Sequence, residues 1–199
     1  MNLPNKLTVI RIILVPIIIL MMLPWSFLPP GNAWTNFVGR FGMLIALILF
    51  VSASITDFFD GQIARRKNLI TTLGQFMDPI ADKLLVTSVM IMFVYLQRMH
   101  GLVVIIILAR DLVVNGLRML SASLGIVVPA NAVGKWKTFA QMIGMIFIML
   151  QLCLLQLGLT GTAIVGIGLL GDILIGISVL LCVISVIQYI KVNKQYLNE

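Results

Sequence analysis

Four aspartates in one short stretch carry the chemistry that this sequence can do. They stand in Asp57-Phe58-Phe59-Asp60-Gly61-Gln62-Ile63-Ala64-Arg65 and, beyond a short basic turn, in Gly74-Gln75-Phe76-Met77-Asp78-Pro79-Ile80-Ala81-Asp82. On helices, Asp57 and Asp60 (i, i+3) share one face, as do Asp78 and Asp82 (i, i+4). A helical hairpin can bring the two pairs together. Gly61 and Ala64 continue the Asp57 stripe and Gly74 precedes Asp78 by four, so small residues leave a ligand room beside the carboxylates. Like charges a few ångströms apart cannot all stay ionised without positive charge between them. An all-oxygen set of hard ligands suits Mg²⁺ or Mn²⁺ rather than zinc, for which local His and Cys are missing. Four carboxylates carry a charge that two divalent ions neutralise and one does not. The usual task of such a binuclear site is to clamp phosphate oxygens and activate an attacking oxygen in phosphoryl transfer. One aspartate alone would pass as a helix cap facing water; four on matched faces, with Gly and Ala between them, would not.

The elements that position these residues are read from composition. Of 199 residues, 60% are hydrophobic and 11% charged, with a mean hydropathy of +1.11, whereas soluble domains average about 45–50% and about 25%. A water-soluble globule and a disordered chain are both excluded. The apolar stretches are continuous rather than alternating, which predicts helices and not a β-barrel. Spanning the hydrocarbon layer takes about 20 apolar residues per helix. Six such segments are expected, near 7–28, 38–60, 74–97, 101–122, 137–157 and 163–190, broken at Pro29-Pro30-Gly31-Asn32, Lys67-Asn68, His100-Gly101, Pro129-Ala130-Asn131 and Gly158 to Gly161. The fold class is thus all-α, a polytopic integral membrane protein of six transmembrane helices with a short N-terminal interfacial segment, in one domain over 1–199. No repeat, linker or cleavable signal peptide is read. Cys153 and Cys182 stand alone in apolar stretches and are read as packing residues.

Charge placement gives orientation. Lys6, Arg11, Arg65, Arg66, Lys67, Arg110, Arg118, Lys135, Lys137, Lys191 and Lys194 fall on one side, while Arg40 and Arg98 lie near the other and Lys83 sits inside a helix. The positive-inside rule puts that first side, both termini and the aspartates in the cytoplasm. With no soluble domain to carry a basic patch, the net charge of +7 points to lipid headgroups and phosphorylated substrates rather than nucleic acid.

Asp57-x2-Asp60-Gly61-x2-Ala64-Arg65-x8-Gly74-x3-Asp78-x3-Asp82 matches the signature of the CDP-alcohol phosphatidyltransferases, which the chain resembles over most of its length. Pro4-Asn5-Lys6-x-Thr8-x2-Arg11, Ala109-Arg110-Asp111 with Gly116-Leu117-Arg118, and Gly134-Lys135-x-Lys137-Thr138 are similar to the bacterial phosphatidylglycerophosphate synthases of that family. Where those synthases often carry Glu, this chain has the shorter Asp111. The resemblance implies a six-helix bacterial inner-membrane enzyme, a homodimer, dependent on two Mg²⁺ or Mn²⁺ ions. It would transfer the phosphatidyl group of CDP-diacylglycerol to sn-glycerol 3-phosphate and release CMP. Carried over by position, Asp57, Asp60, Asp78 and Asp82 hold the metals, Asp82 is also the general base, and Gly61, Ala64 and Arg65 meet the CDP portion.

Other assignments rest on charge and place. Arg110, Arg118, Lys135 and Lys137 are candidates for the acceptor's phosphate. Arg110 and Arg118 are about 80° apart around a helix, and Lys135 and Lys137 open the fifth helix. Positive-inside marking or lipid binding is the alternative for all four, and an Arg110–Asp111 or Arg110–Asp78 ion pair stays open for Arg110. Asn5, Thr8 and Arg11 either form an interfacial helix against the nucleotide or anchor the N-terminus. Thr71 either donates to a phosphate or forms a turn. A sister enzyme taking inositol phosphate, serine or phosphatidylglycerol is the nearest rival function. A divalent-cation transporter is remoter, because the outer halves of the helices hold almost no ionisable groups. Asp172 and His100 receive no function.

Overall fold

The computed structural model describes the backbone of residues 3–25, 31–66, 72–123 and 132–193, with their side chains apart from 3–6, 57–66, 72–76, 78–79, 117–123, 132 and 190–193. Among these residues the chain forms six helices: α1 (Leu3–Met22), α2 (Ala33–Arg66), α3 (Thr72–Tyr95), α4 (Gly101–Ser123), α5 (Ala132–Gln156) and α6 (Thr162–Asn193). They fall where the six apolar segments were expected. Three contain stretches long and apolar enough to cross a membrane, Ala33–Thr56, Val133–Gln156 and Thr162–Tyr189.

The ends follow local chemistry. α1 stops short of the expected boundary because Pro24 disfavours helical backbone in the residue before it, and the Trp25 indole N–H closes the last turn on the Leu20 carbonyl at 2.9 Å. The N-terminal interfacial segment is not a separate element: positions 3–22 form one continuous helix, in which Thr8 and Arg11 are buried. Asn32 caps α2, its Oδ1 accepting the Trp34 N–H at 3.1 Å, after Gly31 at φ 89°. Gln97 closes α3 in the left-handed region, φ 57°. His100 is a cap, its Nδ1 accepting the Leu102 N–H at 3.3 Å. The breaks at Lys67-Asn68 and Pro129-Ala130-Asn131 lie outside the described residues.

Each helix turns one stripe inward: Val15, Ile18 and Met22 on α1, Met43, Ala46, Phe50 and Ala53 on α2, Leu85, Val89 and Phe93 on α3, Met145, Ile148, Met149 and Cys153 on α5. This is helical spacing of three and four. The opposite faces are apolar as well, with Ile10, Ile13, Leu112, Val165 and Leu180 exposed. A bundle apolar inside and outside is built for a lipid surround, where packing rather than hydrophobic exclusion joins helices. Close backbone approach serves that purpose. A Cβ on Gly171 would meet the Gly144 carbonyl at 3.0 Å and Ile148 Cγ1 at 2.8 Å, so α5 and α6 form the most extensive helix pair with glycines at the contact. α1 packs on both α2 and α3, holding together the two helices that carry the aspartates.

At the end of the bundle away from the aspartates, Arg98 joins three helices. Its Nη1 and Nη2 donate to Asp172 Oδ1 and Oδ2, both at 2.9 Å, its Nε to Gln151 Oε1 at 2.9 Å, and Nη2 also to the Gly168 carbonyl at 3.2 Å. Asp172, mute in the sequence, is therefore the counter-ion of a residue just past α3.

Candidate active site

The two helices that carry the aspartates have the backbone the spacing requires. α2 runs unbroken through Asp57, Asp60, Gly61, Ala64 and Arg65, and α3 through Asp78 and Asp82. Asp57 and Asp60 are about 4.5 Å apart along their axis and Asp78 and Asp82 about 6 Å along theirs. Six chain steps join Arg66 to Thr72, so the two helix ends lie within about 21 Å of each other. Four carboxylates on two tethered helices, with no nitrogen or sulfur ligand among them, make a donor set that fits a hard divalent cation. Asp82 is half-buried. The side chains of Asp57, Asp60, Asp78, Gly61, Ala64, Arg65, Arg118 and Asn5, and the whole of Thr71, lie outside the described residues.

One residue further along α3 a second polar centre begins. Asp111, on α4, collects three cations from three helices. Arg110 Nη1 donates to its Oδ1 at 2.9 Å; Lys137 Nζ, from α5, donates to Oδ1 and Oδ2 at 3.1 Å each; Lys83 Nζ, from α3, lies 3.2 Å from Oδ2. α6 adds Ser185, whose Oγ accepts from Arg110 Nη2 at 2.7 Å. Gly134 on α5 makes room for the guanidinium: a Cβ there would lie 3.1 Å from Arg110 Nη2. Cys182 is fully buried one turn before Ser185, within electrostatic reach of Lys137, Asp111 and Arg110.

Burial grades across this centre. The Lys137 side chain is 3% exposed, that of Arg110 11%, Asp111 19% and Lys83 38%. Lys137 is the floor and Lys83 the open edge. Burying such charges is costly unless they are paired and hydrogen-bonded, and among the described residues one carboxylate for three cations leaves the centre at +2. The arrangement can therefore receive an anion of charge about −2, which is the charge of a phosphate monoester near neutral pH.

Of the four basic residues expected to meet a phosphate, the structure brings Arg110 and Lys137 together, and it makes the Arg110 partner Asp111. Lys135 does not join them. It is exposed, because two positions along a helix is about 200° of rotation, and a centre that holds Lys137 faces away from Lys135. Lys83 and Ser185 were not anticipated. Lys83 carried a signal, a charge inside an apolar run; Ser185 carried none. Thr8 and Arg11, three apart on α1, are both buried on one face.

The model of the CDP-alcohol phosphatidyltransferase family matches residues 1–184, and the chain belongs to that family. It is 40% identical over 195 residues to the CDP-diacylglycerol--glycerol-3-phosphate 3-phosphatidyltransferase of Rickettsia typhi, covering 98% of each chain. It is 42% identical over 153 residues to the protein of the same name from Bacillus subtilis, covering 75% of this chain and 77% of that one. The Rickettsia bellii protein of that name is 40% identical over 196 residues.

Proposed function

We propose that this chain transfers the phosphatidyl group of CDP-diacylglycerol to sn-glycerol 3-phosphate, giving phosphatidylglycerophosphate and CMP. The observation that carries the choice of acceptor is the convergence of Lys83, Arg110 and Lys137 on the single carboxylate of Asp111. The aspartate hairpin handles only the CDP side and is common to acceptors of every kind. An excess of +2 beside it suits the doubly charged phosphate of a phosphorylated alcohol better than serine, whose single carboxylate comes with an ammonium that the cluster repels.

The residues divide the work as follows. Gly61 and Ala64 let the nucleotide approach the α2 backbone, and Arg65 pairs with diphosphate oxygens through its planar fork. Asn5, Thr8 and Thr71 border the same substrate. Arg110 and Lys137 hold the acceptor's phosphate, and Arg118 and Lys135 contribute positive potential toward the same end of the bundle. The acceptor's 1-hydroxyl oxygen bonds to the β-phosphorus, the bond from that phosphorus to the oxygen of CMP breaks, CMP leaves with the electron pair, and Asp82 takes the hydroxyl proton. Asp57, Asp60, Asp78 and Asp82 would hold two Mg²⁺ or Mn²⁺ ions, which supply charge neutralisation at the diphosphate.

All six helices span the membrane in this reading. Lys83, Arg110 and Lys137 belong to the aspartate end, and the positive-inside rule puts that end and both termini in the bacterial cytoplasm, where soluble glycerol 3-phosphate is met. The enzyme acts as a homodimer. Purified protein in CDP-diacylglycerol micelles should release CMP when glycerol 3-phosphate is added. CMP release with inositol phosphate, serine or phosphatidylglycerol and none with glycerol 3-phosphate would reject the assignment.

A further inference from the structure

Resting on that reading, we propose that Asp111 is a positioning residue that gathers Lys83, Arg110 and Lys137 into one receptor for the acceptor's phosphate, and that Lys83 is the receptor's entry-side contact. Donor counting supports it. An ammonium has three N–H donors; among the described residues Lys137 commits two to Asp111, while Lys83 is held to the same carboxylate as an ion pair at 3.2 Å. Arg110 Nε is buried with no hydrogen-bond partner among them. Among the described residues, one N–H of Lys137, the ammonium of Lys83 and three of the five N–H groups of Arg110, its Nε–H among them, have no hydrogen-bond acceptor, around a carboxylate that already holds all three side chains. Asp111 thus offsets part of the mutual repulsion of three cations and leaves the net charge that a phosphate dianion cancels.

Lys83 also ties the two centres together. It follows Asp82 on α3, and neighbouring residues on a helix point about 100° apart, so Lys83 can face Asp111 while Asp82 faces the hairpin. With its 38% exposure, Lys83 is the cation an incoming anion meets first.

The test uses the full chain in CDP-diacylglycerol micelles, with CMP release followed while each substrate is varied. Lys83→Gln should raise the KM for glycerol 3-phosphate about tenfold and leave the KM for CDP-diacylglycerol within about twofold, while Lys83→Arg restores most of the affinity. Asp111→Asn keeps the three cations but frees them, so kcat should fall about tenfold with no rise in the glycerol 3-phosphate KM. An unchanged glycerol 3-phosphate KM in Lys83→Gln, or equal increases in both KM values, overturns the inference while leaving the functional assignment intact. If Lys83→Gln does not fold, Asp111→Asn decides: the tenfold fall in kcat at an unraised glycerol 3-phosphate KM supports the inference, and an unchanged kcat, or a rise in the KM of both substrates, overturns it. Wild-type protein that turns over with no glycerol 3-phosphate overturns inference and assignment together.

Discussion

Lys137 Nζ lies 3.1 Å from both carboxylate oxygens of Asp111, across 26 residues of sequence and two helices. A lysine so deeply buried is held by its partner, and the pair is the most deeply buried part of a cluster of three cations around one carboxylate. Lys137→Ala removes one of three cations and leaves Asp111 with Lys83 and Arg110. The expected result is a rise of about tenfold or more in the KM for glycerol 3-phosphate with little change in that for CDP-diacylglycerol, measured by CMP release.

Asp57→Asn keeps the shape of the side chain and deletes one charge from the quartet. Turnover should fall by about 10³-fold, equivalent to ~4 kcal/mol in the barrier, and added Mg²⁺ or Mn²⁺ should not recover it. In the wild type, chelation should abolish CMP release and either ion should restore it. Residual activity of the variant above a tenth of wild type would remove Asp57 from the site.

The Arg98–Asp172 pair is far from the aspartates and should matter for stability, not chemistry. Asp172→Ala leaves a guanidinium without its counter-ion but with its bonds to Gln151 and the Gly168 carbonyl, and because Asp172 is 46% exposed the loss of stability should be about 1 kcal/mol or less. Thermal unfolding in detergent measures this. The kcat of the folded fraction should stay at the wild-type value.

Gly171→Leu places a side chain where the α5 backbone passes. The α5–α6 pair would have to separate, at an expected cost of about 1–3 kcal/mol or more. Because Lys137 is on α5 and Ser185 on α6, a lowered melting temperature should come with a raised KM for glycerol 3-phosphate. A variant as stable as wild type would contradict the close packing read at this contact.

Much of the architecture was legible because a membrane leaves few choices: continuous apolar runs become helices, and the turn residues Gly31-Asn32, His100-Gly101 and Gly158 to Gly161 mark where they end. The aspartate pairs were legible because three- and four-residue spacing on a helix is a local matter. What could not be read was which charges meet. Lys83, Asp111 and Lys137 come from three helices, and their convergence depends on how those helices rotate against one another. Lys135 shows the cost of reading proximity in sequence as proximity in space, since one helical half-turn separates it from Lys137. Asp172 shows the converse, an isolated acid that finds its partner 74 residues away. The burial of Thr8 and Arg11 in α1 was likewise not legible, because a polar residue near a chain end reads equally as a surface group.

The most direct measurement follows an atom. With ¹⁸O in the 1-hydroxyl of glycerol 3-phosphate and unlabelled CDP-diacylglycerol, mass spectrometry of the products should find the label in the phosphodiester of phosphatidylglycerophosphate, with CMP unlabelled. Label in a cytidine-containing product, with phosphatidic acid released, would mean attack at the other phosphorus and would contradict the assignment of the hairpin and the cationic centre to a single phosphatidyl transfer.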